Sequence, residues 1–206
     1  MIWAALLAGI AGYVDAICFL LLGGAFAANM TGNLVAIGMD AAAGRWLQAA
    51  WIASLPVAFL LGVLAARFVL RAHRSARFSL LIEAAVIALS ATGLLGLAAV
   101  PLLSAAMAMQ NEAVRHGVVA VNVGFVTGDI QQLGERLVAE TVPAPRSKGG
   151  LQAPVILTIL VCYAFGAAIG TLASVWGAAA LLAPAAVLAG AVLLPERWTG
   201  LAAQRH

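Results

Sequence analysis

Charge is what this chain has least of. Only 9% of its residues are Asp, Glu, Lys or Arg, whereas 64% are hydrophobic. A soluble domain carries about 25% charged residues, so this chain cannot clothe a water-facing surface. It reads as an integral membrane protein whose first partner is the lipid bilayer. Cysteine is scarce too: Cys18 and Cys162 lie deep in apolar stretches and read as small hydrophobes, not as a disulfide or metal pair. His73, His116 and His206 share no metal-ligand spacing, and neither a phosphate loop nor a nucleophile motif occurs. The expectation is a protein that is not an enzyme and holds no metal or cofactor. The net charge of +3 comes from short linkers; it carries no sign of nucleic acid, and its distribution reports orientation instead. The N-terminus lacks the basic stretch of a cleavable signal, so the first apolar run is expected to be retained.

Against this background one polar motif occurs twice. Asp15 stands sixteen positions ahead of Thr31-Gly32-Asn33-Leu34, and Asn111 sixteen ahead of Thr127-Gly128-Asp129-Ile130. Gly38 and Gly134 follow in the same register. A gapless duplication at a spacing of ninety-six residues points to two repeats, residues 1–100 and 101–206, in one integrated membrane domain with a shared site.

A bilayer core of about 30 Å takes roughly 20 helical residues. Six stretches approach that length: Ile2–Leu22, Trp46–Leu70, Phe78–Leu97, Pro101–Gly117, Gln152–Val175 and Trp176–Leu194. Pro101 suits the first turn of its helix. Trp3, Trp46, Trp51, Trp176 and Trp198 fall near stretch ends, as an aromatic belt does. Ala25–Gly44 and Val118–Glu140, which carry the Thr-Gly motifs, read either as spans or as re-entrant pieces. If both dip in and return, each repeat has three spans, an odd number, and the repeats are inverted. Arg71, Arg74, Arg77, Arg146, Lys148, Arg197 and Arg205 then share the cytoplasmic side with both termini. The expected fold is all-α: two inverted repeats of about three transmembrane helices, each with a re-entrant or broken Thr-Gly half-helix. Seven or eight spans is the alternative. In the second copy the β-branched run Val118–Val126 reads as extended chain, and Thr127–Glu140 as a short helix capped by Thr127. Gly23-Gly24 ahead of Asn29 is a similar loop-then-helix signal in the first copy.

Asp15 stands about 20 Å into the first span at ~1.5 Å per residue. An ionised Asp there costs about 2.5–3.5 kcal/mol on insertion scales, so it is expected to face a cavity or a partner. It serves either as an ion-coupling acid or as a packing acid bonded to backbone. Asn111 is its positional counterpart. The Thr-Gly pairs would open half-helices whose N–H groups and positive dipole end favour an anion or an electronegative group. Gly32 and Gly128 would admit close backbone approach. The candidate site is therefore Asp15, Asn29, Thr31, Gly32, Asn33, Asn111, Arg115, Thr127, Gly128 and Asp129, binding an unknown small solute or ion. Glu112, Arg115 and His116 have helical spacing and can pair among themselves. Glu83 is close enough to the start of its span to snorkel. Gly166-Ala-Ala-Ile-Gly170 and its echo Gly62-Val-Leu-Ala-Ala66 are stripes for close helix packing, within one chain or in a homodimer.

The run Gly12-Tyr13-Val14-Asp15-Ala16, followed by Phe19-Leu20, Gly23-Gly24, Phe26 and Asn29-Met30-Thr31-Gly32-Asn33-Leu34, resembles the signature of the YoaK family of bacterial multipass membrane proteins. Gln110-Asn111 and Thr127-Gly128 resemble its second motif, so the likeness covers nearly the whole chain. Glu112 follows Asn111 where the family more often has Ala, and Val123-Gly124 stands where it tends to have a Thr pair. The resemblance implies a bacterial inner-membrane protein of unknown function and supplies no substrate, cofactor or activity. The residues themselves point to a small transporter or channel-like permease with a pseudo-symmetric midplane site, for an anion or small polar metabolite. The competing reading is a non-transporting scaffold or sensor in which the Thr-Gly pairs only pack.

Overall fold

The computed structural model describes residues 2–73, 76–117, 130–131 and 153–194. Among them the chain is helical, without a strand: α1 (Ile2–Leu21), α2 (Met30–Ala42), α3 (Trp46–His73), α4 (Ala76–Ala91), α5 (Ala99–Gly117), α6 (Ala153–Ala173) and α7 (Leu182–Leu193). Local chemistry sets the boundaries. The unbroken apolar run of α1 ends where Gly23 and Gly24 take φ of 100° and 73°, a left-handed pair that reverses the chain. Asn29 caps α2 with its side chain on the Gly32 N–H. α4 stops at Ala91, short of the expected Leu97, because the Thr92 hydroxyl bonds back to the Leu89 carbonyl at 2.7 Å and Gly93 turns left-handed. α5 starts at Ala99, so Pro101 does sit in a first turn.

Three of the described stretches are long and apolar enough to cross a membrane: Ile2–Leu21, Trp46–Ala72 and Ala153–Leu193. The last runs for 41 residues, about 60 Å if straight at ~1.5 Å per residue. It is broken within the 3₁₀ segment Ser174–Leu181, where Gly177 has φ 61° and ψ −150°. α4 has 16 residues, and α5 has 19 with polar Gln110, Asn111 and Glu112 in its second half, so neither meets that measure. Among the described residues, length and composition alone thus mark three candidate spans, against an expectation of six for the chain.

The packing is inside out. Leu60, Leu61 and Phe68 of α3 and Val161, Phe165 and Leu172 of α6 face outward, while Asp15, Asn33, Glu83, Gln110, Asn111 and Glu112 are buried. That distribution suits a molecule whose solvent is hydrocarbon. Small residues then set the closest crossings. A Cβ on Gly12 would run into the Tyr163 carbonyl, and one on Gly166 into the Gly9 carbonyl, so α1 and α6 touch backbone to backbone. A Cβ on Gly62 would likewise meet the Ala105 backbone, joining α3 to α5. Both small-residue stripes, which the sequence leaves open to intrachain or dimer use, are therefore filled within the chain. α3 and α5 run parallel, since their contacts advance together: Ser104 Oγ donates to the Leu55 carbonyl at 3.0 Å, and Arg67 Nε to Glu112 Oε2 at 3.2 Å. α4 lies between α5 and α7, with Arg77 Nη2 donating to the Leu194 carbonyl at 2.8 Å. Because α1 packs on α6 and α3 on α5, neither half has a core of its own.

Candidate functional site

The polar centre of the first half is a loop folded back along the helix it has just left. After the Gly23-Gly24 reversal, Phe26 stacks on Phe19 with ring centroids 4.9 Å apart. The Ala28 N–H then donates to Asp15 Oδ1 at 2.6 Å, which places Ala28 at the depth of Asp15, well inside the end of α1. The amides of Ala27 and Asn29 also act on this carboxylate. Successive N–H groups curled around an anion form a nest, here filled by the protein's own side chain. Tyr163 of α6 closes the other side, its hydroxyl donating to Asp15 Oδ2 at 2.5 Å. Asp15 is 2% exposed, and both its oxygens are engaged.

Asn33 holds the same loop from α2. Its Oδ1 accepts from the Phe26 N–H at 2.9 Å and its Nδ2 donates to the Phe26 carbonyl at 2.7 Å, so one buried amide satisfies both backbone groups of one residue. Asn29 Oδ1 accepts from the Gly32 N–H at 3.1 Å and from the Thr31 hydroxyl at 2.9 Å. Gly32 is small because a Cβ there would stand 3.0 Å from the Phe26 ring and from Asn29 Nδ2. The Thr31 side chain itself faces outward. Met30 Sδ lies 3.9 Å from Ser104 Oγ of α5, which brings the start of the half-helix against the second half of the chain.

The structure thus gathers Asp15, Asn29, Thr31, Gly32 and Asn33 around one loop and buries Asn111 on α5. Arg115 belongs to α5, but its side chain lies outside the described residues, as do Thr127, Gly128 and Asp129 and hence the meeting of the two Thr-Gly pairs. The half-helix is expected to turn N–H groups toward an anion; the amides of Phe26, Ala28, Met30, Gly32 and Asn33 have acceptors within the chain, and that of Thr31 is not among them.

Two further features escape the sequence reading. Glu112 meets Arg67 of α3, across a helix interface and not along its own helix. Glu83, expected to snorkel, is fully buried on the inward stripe of α4 with Leu80, Ala84 and Ile87. Neither of its carboxylate oxygens, nor the Ser79 hydroxyl one turn before it, has a hydrogen-bond partner among the described residues. The signal was the shared spacing with Leu80, Ala84 and Ile87, which is hard to see in a helix that is apolar on every side. Gln110 on α5 donates to the Leu7 carbonyl at 3.0 Å, while its own buried Oε1 lacks a partner among the described residues. Among those residues no three His, Cys, Asp or Glu side chains gather as metal ligands.

No curated protein and no solved structure matches this chain. The family described as protein of unknown function (DUF1275) matches residues 3–194, in accord with the resemblance carried by the first motif, and the chain belongs to that family.

Proposed function

We propose that this protein is a small transporter or channel-like permease of a bacterial inner membrane, with a solute site between two inverted halves. The observation that carries this reading is the broken segment 22–42: irregular backbone, then a half-helix, folded back to the depth of Asp15. Non-helical backbone at membrane depth is tolerated only where protein or a water-filled cavity surrounds it. Discontinuous helices at a repeat interface are how many carriers build a midplane site. The glycine contacts support the repeat. Gly9 and Ala105 stand ninety-six residues apart, the interval of the two motifs, and each is met by the first residue of a small-residue stripe, Gly166 or Gly62. An inverted pair exchanges these crossings, α1 on α6 for α5 on α3. In this arrangement the chain crosses six times, segment 22–42 and its counterpart re-enter, and both termini are cytoplasmic.

Because Asp15 already fills the loop's amides, the solute taken by the first half is small, polar and without full negative charge. The protein performs no covalent chemistry on it. The test is uptake into proteoliposomes from a panel of small polar metabolites, cations and anions, comparing the native chain with Gly32→Leu. Flux of one panel member that Gly32→Leu abolishes, with insertion intact, supports the reading; absence of flux across the panel opposes it. One observation favours the scaffold or sensor reading: the side-chain polar atoms of Asp15 and Asn33 are all engaged within the protein, three with the 25–29 loop and Asp15 Oδ2 with Tyr163. That reading requires a dry core. A cysteine replacing Asn29 or Gly32 would then stay unreactive to small water-soluble thiol reagents from either side.

A further inference from the structure

Two of the buried acids, Asp15 and Glu83, have opposite surroundings. Asp15 has a donor on each oxygen. Glu83 is 0% exposed, and neither oxygen has a hydrogen-bond partner among the described residues; Ser79, also 0% exposed, sits one turn earlier on the same face with its hydroxyl in the same state. Residues four apart on a helix share a face, so three unpartnered oxygens lie on one inward stripe of α4.

We propose that Glu83 is a proton-binding site in the interior of this protein, distinct from the Asp15 loop. A carboxylate without donors or a counter-ion is uncompensated in a low-dielectric core, and buried charge is retained only where something balances it. The charged and titratable groups on the elements packed against α4 are Arg67, Arg71 and His73 of α3 and Glu112, Arg115 and His116 of α5; α7 and the segment 174–181 carry none. Arg67 and Glu112 pair with each other, and Arg77 of α4 itself reaches the Leu194 carbonyl. No ion pair among the described residues includes Glu83. A proton removes the imbalance with the least space. It adds to one carboxylate oxygen, leaves a neutral acid that needs no counter-ion, and departs again without breaking any other bond. Intramembrane acids in such positions serve as proton relays in pumps and transporters.

Dicyclohexylcarbodiimide, an apolar reagent that adds to protonated carboxyl groups, tests this on the full chain in detergent, with mass spectrometry locating the adduct. The expected result is an adduct at Glu83 and little at Asp15. Its formation rate falls about tenfold per pH unit on the alkaline side of its midpoint, and added Na⁺ at fixed pH does not protect. Glu83→Gln keeps the shape, removes the adduct and serves as the assignment control. Should that variant not fold, the pH curve of the native chain still decides. No adduct at Glu83 at any pH, or a rate independent of pH, overturns the proposal; protection by Na⁺ overturns it in favour of an alkali cation. The assay requires no flux, so its failure leaves the solute-site reading standing, and failure of transport leaves the Glu83 result standing.

Discussion

Asp15 and Asn33 reach one loop from two helices, Asp15 through the Ala28 N–H and Asn33 through both backbone groups of Phe26. Their removal is costly for what it leaves behind. In Asn33→Ala the part-buried N–H and C=O of Phe26 lose their partner, so we expect a loss of about 1–3 kcal/mol, read as a lower melting temperature in detergent. Thr31→Val removes only an outward hydroxyl bonded to Asn29 and should stay within about 0.5 kcal/mol. Equal melting of the two variants would show that the amide clamp is not what holds the loop. Tyr163→Phe strips one donor from a buried carboxylate and should cost about 1.5–3 kcal/mol, the range for hydrogen bonds to charged groups. In Asp15→Asn that loss should shrink, because the Tyr163 hydroxyl then no longer faces a charge. A Tyr163→Phe penalty unchanged in the Asp15→Asn background would disconnect the two side chains.

Between helices, separation is decided by glycine. Gly12 and Gly166 each face the partner's backbone so closely that a methyl group has nowhere to go. Overpacking of this kind costs about 1–3 kcal/mol, and here it acts on backbone, which cannot change rotamer. We expect Gly12→Ala and Gly166→Ala each to lower stability by that amount or more. Gly38→Ala is the control: nothing lies within 4 Å of its Cβ position and it sits inside α2, so it should gain about 0.5–1 kcal/mol from helix propensity. A stabilising Gly12→Ala would mean that α1 and α6 are further apart than described.

At the scale of the whole molecule, the exterior is apolar and the polar groups face in, and the two halves interlock through α1–α6 and α3–α5. The interlock leads us to expect that residues 1–100 expressed alone are not stably folded. The proposed inverted topology makes its own prediction. Single cysteines at Ser75 and Ser147, in a background with Cys18→Ala and Cys162→Ala, should both resist an impermeant thiol reagent applied from outside the cell. Labelling of one and not the other would put the two basic linkers on opposite sides and rule out three spans per repeat.

Composition alone determined the class: with 9% charge, no arrangement of this chain covers a water-facing surface. Local punctuation was equally legible. Gly23-Gly24 and Pro101 mark ends of α1 and α5 because turns and first-turn prolines depend on a few adjacent residues, whereas the Asn29 cap of α2 came from the structure. The likeness of the first motif to a known family was legible for the same reason, being one contiguous stretch. Which way each helix faces was not. A helix apolar on all sides gives no periodic signal when protein interior and lipid are equally greasy. Only tertiary structure could therefore turn Glu83 inward with Leu80 and Ile87, set Arg67 beside Glu112, and fit both glycine stripes against partner backbones within one chain. It alone supplied Asp15 with Tyr163, 148 positions away, because a hydrogen bond between distant helices depends on their crossing geometry and leaves no trace in either local sequence.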